Sequence, residues 1–141
     1  MQLQQFSPVQ QDTVTVLARR ILIIEDEDDI REVAQLTLEA VGGWEVLTAP
    51  SGNEALAKAA SEQLDAILLD IMMPDLDGIA TFQKLQANPV TQHIPVILLT
   101  AKVQAADRHR FAELGLTAMI IKPFDPMTLP DLVADALGWN D

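Results

Sequence analysis

Five residues of three chemical kinds stand at equivalent places in this sequence, each just after a short apolar run. Glu25 and Asp26 follow Ile21-Leu22-Ile23-Ile24, Asp70 follows Ala66-Ile67-Leu68-Leu69, Thr100 follows Val96-Ile97-Leu98-Leu99, and Lys122 follows Ala118-Met119-Ile120-Ile121. Three carboxylates drawn together repel one another unless their charge is compensated. A hard divalent cation does this well, and Mg²⁺ prefers oxygen ligands in an octahedral set that keeps waters and often includes a phosphate oxygen. An amine and a hydroxyl beside it suit the remaining oxygens of a phosphoryl group. The set therefore points to phosphoryl transfer, whose catalysis is mostly positioning and charge neutralisation. The other polar residues have plainer readings. Asp28 and Asp29 suit the first turn of a helix, where acids oppose the positive end of the dipole. Asp65, Asp75 and Asp77 read as turn or surface residues. His93 and His109 form no triad or metal pair and read as surface residues, and Met73 reads as packing, with Met72 nearer the site.

The elements that must carry these residues alternate regularly from Arg20 onward. Each apolar run has the character of a strand buried on both faces, and Trp44 to Thr48 supplies another. Between them lie stretches with helical spacing. Ile30, Val33, Ala34, Leu36 and Ala40 share one helical face, closed by Gly42-Gly43. Ser51-Gly52-Asn53-Glu54 is a capping box opening a helix to about Ser61. Gly78 to Ala87 is a helix ended by Asn88-Pro89, and Gln104 to Leu114 is one stopped by Gly115. A last helix starts at Thr128, with Pro130 in its first turn, and runs to about Leu137. Five strand-then-helix units imply an α/β fold with a parallel sheet and helices on both faces. In such sheets ligands bind at the carboxyl ends of the strands, where the five residues fall. Residues 1–18 are Gln-rich without sustained period and read as a flexible N-terminal extension, although Val14-Thr15-Val16-Leu17 is compatible with a short extra strand. Residues 19–141 read as one domain.

Composition narrows the function classes. The 141 residues are 49% hydrophobic and carry a formal net charge of −12, so the chain is globular and repels nucleic-acid phosphates and acidic lipid headgroups. No cysteine is present, which excludes disulfides and thiolate chemistry. No apolar stretch approaches the roughly 20 residues of a membrane span, and the first residues lack a signal-peptide pattern. The expectation is a cytoplasmic protein with no nucleic-acid or membrane partner.

Four motifs together resemble the receiver domain of bacterial response regulators, over about Arg20 to Leu137. They are Ile21-Leu22-Ile23-Ile24-Glu25-Asp26-Glu27, Leu68 to Gly78 with Asp70-Ile71-Met72-Met73-Pro74, Pro95-Val96-Ile97-Leu98-Leu99-Thr100-Ala101, and Ile120-Ile121-Lys122-Pro123-Phe124. The resemblance implies the flavodoxin-like, doubly wound five-stranded parallel sheet of order 2-1-3-4-5. It implies that Asp70 is the phosphoacceptor and nucleophile. Asp26 and Asp70 would hold Mg²⁺, with Glu25 through water and the Met72 backbone carbonyl as a further ligand; Mn²⁺ is the alternative ion. Lys122 and Thr100 would bind phosphoryl oxygens, small Ala101 would allow close approach, and the Lys122–Pro123 peptide would be cis. Gly78 would permit the turn into the third helix. The donor would be a histidine kinase or a histidine phosphotransfer protein, and the output a contact with a downstream protein target, with a homodimer compatible but not required. On this reading the domain is a regulatory phosphoacceptor that assists its own phosphorylation and slow dephosphorylation, not an enzyme acting on other substrates.

The sequence departs from the family at the residue three before the lysine, usually aromatic and here Met119. Methionine is flexible and repacks readily, so the expected signal leaving the site through the fourth helix, fifth strand and fifth helix is weaker or different. Met72 and Lys102 occupy positions that tune phosphoryl lifetime in the family. Met72 cannot orient an attacking water and Lys102 can shield the phosphoryl group, so slow dephosphorylation is expected, quickened by Met72→Asn.

Other classes fit less well. The favoured reading is a stand-alone receiver; a receiver fragment of a larger regulator or hybrid kinase is the alternative. A haloacid-dehalogenase-like phosphatase wants D-x-D followed by Thr or Val, whereas Asp26-Glu27-Asp28 is followed by Asp29. A structural pseudo-receiver would lack some of the acceptor, acidic pair, threonine and lysine that this chain retains.

Overall fold

Short runs dense in Ile, Leu and Val have no polar face to offer water, so they pair side by side and are covered above and below. A computed structural model describes residues 19–73, 76–101 and 105–139. The strands are β1 (Arg20–Ile24), β2 (Glu45–Ala49), β3 (Ala66–Asp70), β4 (Val96–Thr100) and β5 (Ala118–Ile121). They form one sheet of order β2-β1-β3-β4-β5, parallel at every pairing. The expected flavodoxin-like order is thus the observed one. Residues 1–18, including the candidate strand Val14–Leu17, lie outside the described residues.

The helices are α1 (Asp28–Ala40), α2 (Gly52–Ser61), α3 (Gly78–Ala87), α4 (Ala105–Leu114) and α5 (Leu129–Leu137). Alternation along the strands divides the core into two layers. Leu22, Ile24, Leu69 and Leu98 face a layer closed by Ala55 and Ala59 of α2, Phe82 and Leu85 of α3 and Phe111 of α4. Ile21, Ile23, Leu68 and Leu99 face the other, closed by Ala34 and Leu38 of α1 and Leu129 and Val133 of α5. Every residue of β3 and β4 is buried, as two-sided covering requires. No helix among the described residues is long and apolar enough to cross a membrane.

Local signals set the element ends. The Ser51 hydroxyl accepts the Glu54 N–H at 3.3 Å, the N-cap half of the expected capping box. Helix α4 stops where Gly115 takes φ of +96°, a conformation that a side chain resists. Element boundaries agree with the sequence reading to within a residue or two. Helix α1 begins at Asp28, with Asp28 and Asp29 in its first turn as expected. Strand β2 runs from Glu45 rather than Trp44: Glu45 pairs with Arg20, while the Trp44 ring packs edge-on against Trp139 at 5.2 Å between centroids.

Candidate functional site

Parallel strands all end at one rim, and the register fixes what meets there. Asp70 lies opposite Leu99, and Thr100 opposite Ile121, so the residue after β5, Lys122, follows directly on the Thr100 level. The Lys122 backbone N–H donates to the Thr100 carbonyl at 2.8 Å, which ties the two strand ends together. Strand β1 lies on the other side of β3, and Glu25 continues it: its N–H donates to the Ala49 carbonyl at 3.1 Å.

The side chains converge accordingly. Lys122 Nζ is 2.6 Å from Glu25 Oε1 and 3.3 Å from Asp70 Oδ1. Carboxylate oxygens of Glu25, Asp26 and Asp70 lie within 4.8 Å of one another. Glu25, Asp70 and Thr100 are buried, whereas Asp26 is half-buried. Asp70 Oδ1 also accepts the Met72 N–H at 3.2 Å, and Glu25 Oε2 accepts the Glu27 N–H at 3.2 Å.

Burial pushes the Glu25 carboxyl up to about 7; Lys122 pulls the other way and nearby Asp70 adds to the rise. For Lys122 the balance reverses. Burial alone would lower its value, but Glu25 and Asp70 together hold it above the ordinary lysine range. The donor set fits a hard divalent cation on this structure's own terms. It is all oxygen, two of the three side chains are buried, and Glu25 Oε1 makes no hydrogen bond of regular geometry while facing the ammonium.

The remaining candidates are placed as follows. The Lys122–Pro123 peptide is cis. Ala101 is exposed at the rim, immediately after β4. The Met72 side chain is 74% exposed, while Met73 is buried in the core. Gly78 lets the chain double back on β3, since a Cβ there would stand 2.4 Å from the Asp70 carbonyl oxygen. Met119 is half-buried against the α2–α4 core layer. Lys102 and Asp75 lie outside the described residues. His93 and His109 are exposed. Asp28 and Asp29 sit in the first turn of α1, and the Asp65 carboxylate accepts the Arg20 backbone N–H at 2.8 Å. Beside the site runs a groove of about 470 Å³, bordered by Ile30 and Val33 of α1, by Ala101, and by Lys122, Pro123 and Phe124.

Two contributors escaped the sequence reading. Asp77 is the N-cap of α3, its carboxylate accepting the Ala80 N–H at 2.8 Å; the D-G-x-x start was its signal. Arg31 reaches back from α1 to the backbone of Glu25 and Asp26. An arginine in an acidic first turn was its only trace.

Residues 21–134 match the family model of the response regulator receiver domain. The chain belongs to the receiver-domain family of two-component signalling. Relatives agree with this. The chain is 43% identical over 115 residues to the response regulator PleD of Caulobacter vibrioides, spanning 80% of this chain and 25% of that protein. It is 40% identical over 108 residues to the alkaline phosphatase synthesis transcriptional regulatory protein PhoP of Bacillus subtilis, spanning 77% and 44%. It thus spans a quarter to under half of these relatives. Among solved structures, the Vibrio cholerae chemotaxis protein CheY4 superposes with a TM-score of 0.78 at 29% identity, over 84% of this chain and 98% of that one. The receiver domain of a Pseudomonas aeruginosa sensor histidine kinase, which holds a magnesium ion coordinated in its active-site cleft, gives 0.75 at 28% identity over 86% and 98%.

Proposed function

We propose that this receiver is a phosphorylation-dependent switch that takes a phosphoryl group onto Asp70 from a phosphohistidine. The observation that carries the reading is Lys122 Nζ standing 3.3 Å from Asp70 Oδ1 within a cluster of three carboxylates. In the transfer, an Asp70 carboxylate oxygen forms a bond to phosphorus as the phosphorus–nitrogen bond of the donor breaks, and the imidazole leaves with its electron pair. Lys122 then exchanges its contact with Asp70 for one with a phosphoryl oxygen, and the Thr100 hydroxyl donates to another. Glu25, Asp26, Asp70 and the Met72 backbone carbonyl would hold Mg²⁺, or Mn²⁺ in its place. The bound ion neutralises charge shared by the carboxylates and the phosphoryl oxygens.

The apolar groove between α1 and Phe124 suits the donor, a helix of a histidine kinase or histidine phosphotransfer protein laying its histidine at Asp70. The output is a contact with a downstream protein, whether the receiver works alone or within a larger regulator or hybrid kinase. Exposed Met72, which offers no group to orient water, favours a long-lived acyl phosphate. The test is incubation with acetyl phosphate and Mg²⁺ followed by intact mass. One added phosphoryl group, absent in Asp70→Asn and without Mg²⁺, is expected. An unmodified wild-type chain, or equal modification of Asp70→Asn, overturns the reading.

A further inference from the structure

We propose that Arg31 is a positioning residue for the cation site, its guanidinium bracing the backbone that carries Glu25 and Asp26. This rests on the reading of the rim as a Mg²⁺-binding receiver site.

A cation in the first turn of a helix opposes the dipole, which favours acids there. Arg31 nonetheless occupies that turn of α1, four residues after Glu27, whose carbonyl accepts the Arg31 N–H at 3.0 Å. Its side chain does not point away into solvent; only 17% of it is exposed. It turns back along the chain. Nη1 donates to the Glu25 carbonyl at 2.8 Å and more weakly to the Asp26 carbonyl at 3.4 Å, while Nη2 pairs with Asp28 Oδ1 at 2.5 Å. One planar group thus gathers two consecutive carbonyls of the loop and the acid that opens the helix.

The consequence is clearest at Glu25, whose polar groups are all engaged. Its N–H is taken by Ala49, its carbonyl by Arg31, Oε2 by the Glu27 N–H, and Oε1 faces the Lys122 ammonium. Lys122 holds the carboxylate from the site, and Arg31 holds the main chain from behind. Asp26, half-buried and beyond the end of β1, receives the longer contact of the same guanidinium at its carbonyl, 3.4 Å away. A loop already fixed in this way does not lose its backbone freedom when a cation binds, so more of the interaction appears as affinity.

Electrostatics and bracing make opposite predictions, which makes the assignment testable. Deleting a positive charge close to a divalent cation site tightens binding by Coulomb's law. Deleting a brace weakens it, and partners behind metal ligands typically account for 10–100-fold in affinity. Isothermal titration of Mg²⁺ into the whole chain should show Arg31→Met binding about tenfold more weakly than wild type. Arg31→Lys, which keeps the charge but reaches one carbonyl at most, should fall between them. Acetyl-phosphate labelling of Arg31→Met should return to the wild-type extent at saturating Mg²⁺. Unchanged or tighter Mg²⁺ binding by Arg31→Met overturns the proposal while leaving the site reading intact. If Arg31→Met does not fold, Arg31→Lys decides, and wild-type affinity in that variant overturns it. A wild-type chain that takes up no Mg²⁺ overturns the site reading, and the brace with it.

Discussion

A carboxyl with no exposed surface stays ionised only if its surroundings replace the water it has lost. Glu25 has an ammonium and one backbone N–H to do so, and an adjacent Asp70 working against them. Its folded value of about 7 lies above the 4.5 of an ordinary glutamate, so the folded state binds this proton more tightly than the unfolded one. Its contribution to stability is therefore fully present below about 4.5 and is lost as pH rises through about 7. Lys122, held above its usual range, keeps its contribution throughout that interval, because it loses its proton only at much higher pH. With Mg²⁺ chelated, urea unfolding should show stability falling from pH 5 to pH 8, by on the order of 2–3 kcal/mol. Glu25→Gln should flatten that slope, and an equal slope in the variant would rule out Glu25 as its source.

At the scale of the element, the site depends on where strands stop and helices start. Helix α3 begins only after the chain has doubled back from Asp70, and Asp77 fixes that start through its bond to the Ala80 N–H. Asp77→Ala should cost about 1 kcal/mol in urea unfolding, with Asp77→Asn or Asp77→Ser close to wild type; a loss below 0.3 kcal/mol, roughly the scatter of such measurements, would show the cap to be dispensable. Much of this architecture was legible beforehand because it follows from composition along short windows. Four-residue apolar runs marked β1, β3, β4 and β5, and the polar residue ending each run marked the rim. Strand order was not legible from pattern; it came with the resemblance, since nothing in Ile21–Ile24 says which strand lies beside it. Asp77 reads alone as one more turn residue, and Arg31 as one more surface charge, because their work is done on backbone groups that a sequence does not display.

For the whole molecule, the question is how an event at the rim reaches a surface. Thr100 ends β4, and its carbonyl holds the Lys122 N–H, so a displacement of Thr100 bears directly on β5. Two residues back along β5 from Thr100's partner Ile121 stands Met119, paired with Leu98 and packed against the layer that also holds Phe111 of α4. Ile121 itself is 47% exposed. The β4–α4–β5 edge thus links the Thr100 end of the rim to exposed surface, and Met119 on it is unbranched and adaptable. If phosphorylation displaces Thr100 as proposed, a planar ring at this position would move as a unit, whereas methionine would absorb part of the displacement by repacking. Backbone amide NMR of the chain with Mg²⁺ and beryllofluoride, a phosphoryl mimic, should therefore show shifts from β4 through α4 to Met119, graded with distance from Thr100. In Met119→Ala the shifts at Thr100 should remain and those on α4 should shrink. Shifts confined to the rim, with none between Ala101 and Met119, would mean that the signal leaves by another face.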